Sequence, residues 1–264
     1  MIDMRLRKKI LLSFLSLFVA SSILTISAVL LATNNSVADQ AQEKLVVGRK
    51  VFEQLLALRA NQLFESAEVL TSDFGFKAAV LDQDESTITS VLDNHGARIG
   101  ADVMMLASLD GRLIASTSNR NQLSDFPFKS LLPLAEDNGG VMRTVVFEGA
   151  PYQILMLPVR APIVSAWTVV GFEIDQALAA QLKELTSLEV TFKGKVHSEP
   201  VFELTTLSEE TMASIHVTDA KGEWLTMTLD NESYLALVTQ LAEADDYLVQ
   251  AVLSTSLEQA IEKF

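Results

Sequence analysis

No charged side chain occurs between residues 10 and 32, and that run constrains the rest of the chain more than any other feature. Arg5, Arg7, Lys8 and Lys9 stand before it, and Asn34, Asn35 and Ser36 follow. As a helix the run would extend about 35 Å, enough to cross a hydrocarbon core of about 30 Å. It also exceeds the roughly 7–15 apolar residues of a cleavable signal peptide. A transmembrane helix is therefore expected over 10–32. The positive-inside rule makes 1–9 a cytoplasmic tail and places the remainder outside the cytoplasm.

Charge bounds what that remainder can meet. The chain has 264 residues with 20 Lys and Arg against 34 Asp and Glu, and the basic residues are partly spent ahead of the apolar run. The part beyond is thus strongly acidic, which argues against nucleic acid and anionic lipid as partners. There is no cysteine, so neither disulfides nor thiolate chemistry contributes. His95, His197 and His216 lack metal-ligand spacing, and no nucleophile elbow or phosphate loop is present. No enzyme, cofactor or metal is expected in this chain.

Residues 36–74 read as one long stalk helix. Leu45, Phe52, Leu56, Leu63 and Leu70 recur at heptad-like spacing with polar residues between them. A helix of that length needs a partner, either its own domain or a second copy across this seam. Short helices follow over 77–81 and from 84 to 94, the second ending at His95-Gly96. Asp110-Gly111 marks a hairpin between strands at 102–109 and 112–116, and Gly149 marks another between 141–148 and 152–159. A strand over 167–174 leads to Asp175 as a helix cap.

Beyond residue 187 the pattern becomes a smaller module. A turn is expected at Lys193-Gly194 and strands at 201–207, 212–218, 224–229 and 247–253, while 231–242 fits helix or strand. The strings WTVVGFEIDQALAAQL and YLVQAVLSTSLEQAI repeat one plan, an apolar strand followed by a capped amphipathic helix.

Three strings, RANQLFESAEVLTSDFGFKAAV, NHGARIGADVMMLASLDGRLIAST and GAPYQILMLPVRAPIVSAWTVVGFEID, together with the element order, resemble the double-Cache sensory domains of bacterial membrane receptors. The likeness covers roughly residues 40–180 and extends to input domains of membrane-bound diguanylate cyclases, phosphodiesterases and sensor kinases. It implies an α+β fold with an N-terminal transmembrane helix, a stalk helix and two PAS-like antiparallel-sheet modules. Those modules are expected at 75–186, distal to the membrane, and 187–256, proximal to it, with 257–264 opening an exit helix. It implies a single-pass protein of the bacterial inner membrane with its domain facing the periplasm. In full length it would be linked to cyclic-di-GMP turnover or a histidine kinase, whose motifs this chain lacks.

Cache modules bind small molecules between the sheet and the segments over it, so the resemblance implies an amino acid, organic acid or amine as ligand. Residues suited to that task in the first module are Arg98, Tyr152, Asp102, Phe74, Lys77, Gln153 and Arg160. Arginine or lysine would fix a carboxylate, and aromatics would frame the pocket. Bland roles compete: Arg98 as a helix-end charge, Tyr152 as a core tyrosine, and Phe74 as packing between helix and sheet. The alternative to a sensor is a non-catalytic envelope interaction module or dimerising stalk. In either case a homodimer through the stalk helix is expected.

Overall fold

The computed structural model describes residues 4–118, 125–208, 216–221, 223–229, 232–244 and 246–258. One helix, α1 (Met4–Ser72), runs through 69 residues, roughly 100 Å at 1.5 Å per residue. Its inward residues fall into two groups. Ala41, Leu45 and Phe52 pack into one core, and Leu63, Ala67 and Leu70 into another.

Among the described residues, no helix is long and apolar enough to cross a membrane. This overturns the transmembrane helix expected over 10–32, and with it the single-pass inner-membrane placement. Hydroxyls interrupt the run: Ser16 donates to the Ser13 carbonyl and Thr25 to the Ser21 carbonyl, each at 2.9 Å. The long apolar stalk over 36–74 is likewise not found. Leu45, Phe52, Leu63 and Leu70, expected to pair two copies, are buried against the chain's own sheets. Polar side chains such as Glu53, Gln54, Gln62 and Glu65 occupy the outer side, and the helix stops at Ser72.

Asp73 caps α2 (Phe74–Asp82) through the Phe76 N–H at 2.7 Å, and Asp84 caps α3 (Glu85–Ile99). Helix α3 does not end at His95-Gly96. Gly96 lies inside the helix, where a side chain would meet Met104 Sδ at 3.1 Å, and Gly100, at φ 68°, supplies the left-handed cap.

Next come β1 (Val103–Ala107), β2 (Leu113–Ser116), a short helical segment α4 (Leu132–Asn138), β3 (Val141–Phe147), β4 (Ala150–Arg160) and β5 (Val164–Glu173). They form an antiparallel sheet in the order β2-β1-β5-β4-β3. Helix α5 (Gln176–Thr186), capped by Asp175 through the Leu178 N–H at 2.8 Å, leads to the second sheet. Its strands are β6 (Glu189–Val196), β7 (Glu199–Thr205), β8 (His216–Lys221), β9 (Trp224–Leu229), β10 (Glu232–Glu243) and β11 (Tyr247–Ser256), in the order β7-β6-β11-β10-β9-β8.

The two sheets share one plan. In each, the last strand lies between the first strand and the one before last: β5 between β1 and β4, β11 between β6 and β10. These are the two strands whose sequences echo each other.

Two local expectations change. Residues 231–242 carry apolar positions that suit either period, but pairing with β9 and β11 makes β10 a strand. Lys193-Gly194 does not turn. Gly194 lies within β6, and the ring of Phe202 occupies the space a side chain would need. The turn falls at His197 and Ser198, both at positive φ. Of the exit helix expected over 257–264, residues 259–264 lie outside the described residues, as does most of the strand expected at 212–218.

The first sheet leaves no slack at its centre. Gly171 pairs with Val103 on one side and Ile154 on the other, and an added Cβ would sit 2.7 Å from Val103 Cγ1 and 3.0 Å from Ile154 Cγ2. Both neighbours are β-branched, buried and stiff at χ1. Gly171→Ala is expected to cost about 1–3 kcal/mol, seen as a lower urea midpoint at unchanged slope.

Candidate ligand site

Alternation along β1 sends its side chains into two cores. Met104 and Leu106 meet α1, α2 and α3, while Val103, Met105 and Ala107 point to the opposite face. On that opposite face the register builds rungs. Arg143, Ile154, Gly171 and Val103 make one, and Val145, Tyr152 and Glu173 make the next. Phe126, Phe128, Leu132 and Ala135 cover the face. An arc of rings runs Phe126, Phe128, Phe147, Tyr152, with successive centroids 5.8, 5.4 and 5.7 Å apart.

The arc ends at a polar corner. Tyr152 donates its hydroxyl to Glu173 Oε2 at 3.1 Å. The Glu173 backbone N–H is held by Asp102 Oδ2 at 2.8 Å. Burial, followed by the negative charge of Glu173, pushes the Tyr152 phenol well above its usual range. Trp167, 2 % exposed, lies on the same face some six residues along β5. Its Nε1–H finds no acceptor among the described residues. From the second sheet, Tyr247 packs against this core and donates to the Thr144 carbonyl at 3.2 Å.

The structure brings Asp102 and Tyr152 together through Glu173. Asp102 also lines a cleft of about 340 Å³ on the helix side of the sheet, with Arg59, Gln62, Glu173 and Asp175. Gln153 faces that side too, its Nε2 reaching the Leu56 carbonyl at 3.5 Å. The other candidates lie elsewhere. Arg98 donates to His95 on α3 and lines a separate cleft of about 230 Å³. Lys77 sits on α2, beyond the helix-side core, and Phe74, at the start of α2, is 85 % exposed. Arg160 is exposed at the far end of β4, about 26 Å from Tyr152 along the strand.

Sequence reasoning passed over Glu173, Arg143 and Trp167. Glu173 had a signal: it ends an apolar strand two residues ahead of the Asp175 cap. Arg143 and Trp167 have none without the register. Among the described residues, no group of His, Asp or Glu is placed to hold a metal.

A family model described as the double sensory domain of two-component sensor kinase matches residues 38–217. No curated protein matches the chain. Among solved structures, the sensor domain of the Vibrio cholerae histidine kinase DctB is 14 % identical, with TM-score 0.53, covering 81 % of this chain and 95 % of that one. The ligand-binding domain of the Pseudomonas fluorescens chemoreceptor CtaA, solved with L-isoleucine, is 10 % identical, with TM-score 0.52 and coverage of 88 % and 98 %. The ligand-binding domain of the Campylobacter jejuni chemoreceptor Tlp3, solved with L-norvaline, is 11 % identical, with TM-score 0.52 and coverage of 87 % and 94 %. At these identities the structures establish likeness of fold.

A phenol that resists ionisation in the folded chain contributes stability that is whole below its ordinary value of about 10 and is lost as pH rises beyond it. Thermal stability is therefore expected to fall above pH 10. Tyr152→Phe should lessen that alkaline loss relative to its own stability at pH 8.

Proposed function

The chain belongs to the double sensory domains of two-component sensor kinases, and from that membership we propose that its first sheet receives a small amino acid with an apolar side chain. The domain is the extracytoplasmic ligand-sensing input of a bacterial signal-transduction receptor. Residues 75–186 are proposed as the receiving module and 187–256 as the module that passes the signal on.

The observation that carries this reading is the Tyr152–Glu173 corner at the end of an aromatic arc. The Glu173 carboxylate would accept an α-ammonium, with Tyr152 and Asp102 holding it in place. Phe147 and the apolar rungs beside it would take the side chain, and Arg143, on the adjoining rung, would meet the carboxylate. Relatives solved with isoleucine and norvaline support the ligand class. For the output, phosphotransfer is favoured because the matched family is described from two-component kinases; cyclic-di-GMP turnover is the competing output.

A homodimer is proposed through the outer side of α1. Val47, Leu58 and Val69 are 51, 55 and 62 % exposed there and recur every eleven residues, three helical turns. Sedimentation is expected to show a dimer that Leu58→Glu dissociates; a wild-type monomer at every concentration sinks that part.

Thermal-shift and calorimetric titration against L-isoleucine, L-norvaline, dicarboxylates and amines tests the ligand. Saturable binding of the apolar amino acids is expected, weakened about 10–100-fold by Glu173→Gln through loss of a charge-assisted hydrogen bond. Binding of dicarboxylates alone, or affinity indifferent to Glu173→Gln, would falsify the assignment.

A further inference from the structure

His95 is a buried titratable group that the ligand site does not use. It is 5 % exposed, in the seam where α3 lies against α1. Both ring nitrogens are engaged. One contact is Nε2 to the Ser66 carbonyl at 2.9 Å, and a carbonyl only accepts, so Nε2 carries the proton. The other is Nδ1 to Arg98 Nη2 at 2.8 Å, and a guanidinium only donates, so Nδ1 must be bare. The surroundings thus admit one form of the ring, the neutral Nε2–H tautomer.

A second proton has a single place to go, Nδ1, where an Arg98 N–H already points. The cation would set donor against donor and charge against charge at 2.8 Å. Either Arg98 swings away or the ring leaves Ser66. Protons can reach the ring: His95 and Arg98 line the cleft of about 230 Å³ with Val69, Leu70, Asp73, Val91 and Asn94.

The groups facing the ring are few. Helix α1 presents the uncharged Ser66 carbonyl, α3 presents Arg98, and the α1–α2 junction presents Asp73. Asp73 favours the cation, but one of its oxygens is engaged as the cap of α2. Burial dominates and, with Arg98, outweighs the Ser66 contact and Asp73, so proton affinity falls below that of an ordinary histidine.

We propose that protonation of His95 is a second input to this domain, releasing α3 and its junction from α1 as the surroundings acidify. The seam it closes is the one through which Leu63, Ala67 and Leu70 hold the first sheet's helices, so the proton acts on the same helix that runs along both sheets. The device needs no bound ligand and stands apart from the Glu173 corner.

The sign follows from linkage. A histidine whose folded affinity for protons is depressed contributes its full stability above about pH 6.5, and that contribution is lost as pH falls below it. Hydrogen exchange of the whole chain, corrected for intrinsic rates, reads this directly. Between pH 7.5 and pH 5, protection over residues 63–72 and 85–99 is expected to fall by up to about 30-fold, the limit set by 1.5 units below 6.5. In His95→Gln the carboxamide can donate to Ser66 and accept from Arg98 at either pH, so protection there should stay flat. An equal fall in His95→Gln, or none in the wild type, overturns the proposal. Should the variant fail to fold, the wild-type imidazole resonances decide. The Nε2–H tautomer at neutral pH with a midpoint below 6.5 supports the switch, and the Nδ1–H tautomer or a midpoint at or above 6.5 sinks it.

Discussion

Burial of one side of α1 against two separate sheets is the constraint on which this molecule turns. Phe52 meets Phe192 of the second sheet with ring centroids 5.7 Å apart, and Leu63, Ala67 and Leu70 enter the core beneath the first. Most of a helix's stability in a folded protein comes from packing of its apolar side, so the sheets hold the helix as much as it holds them. A close approach at Gly48 tightens the lower seam: a side chain there would strike Leu188. Each sheet is closed on its helix side by the same rigid element. Both sheets therefore seat on one continuous helix, the contact through which a change at one would reach the other.

Much of this architecture is legible in residues whose roles are local. Asp110-Gly111 and Gly149 place two hairpins of the first sheet, and Asp175 opens α5 because its side chain can reach a free N–H three residues on. The echo between the strands that became β5 and β11 is legible for the same reason: both are central strands buried on both faces, and both read as near-continuous apolar runs. What could not be read depends on distant partners. Gly194 looks like a turn until Phe202 is known to fill the space above it. The heptad of α1 looks like a dimer seam until two sheets of the same chain occupy it. The uncharged run at 10–32 suggests a span by composition alone, and the described helix does not provide one.

The candidate site divides along the same line. Tyr152 and Asp102 are visible as polar residues in apolar strands, and they do converge, but on Glu173, which sequence spacing passes over. Arg98 was credited with a ligand's carboxylate because arginine suits one. Its helix position turns it instead toward His95, three residues back on the same face. Pairing across strands, not proximity in sequence, decides which polar groups share a cavity.

Tyr247 gives the two modules a second connection, independent of α1. It begins β11, the central strand of the second sheet, yet its ring packs in the outer core of the first, and its hydroxyl donates to Thr144 on β3. Thr144 is adjacent to Val145, on the rung of the Tyr152–Glu173 corner, and to Arg143, on the rung beside it. A ligand that draws β3 toward Glu173 would therefore pull on the first residue of β11, and β11 is hydrogen-bonded along its length to both β6 and β10. Two contacts then join the same modules: the α1 seam, where protonation of His95 is proposed to act, and the Tyr247 contact, which a ligand at the proposed site would load. Because they meet different faces of the first sheet, each can act while the other is at rest.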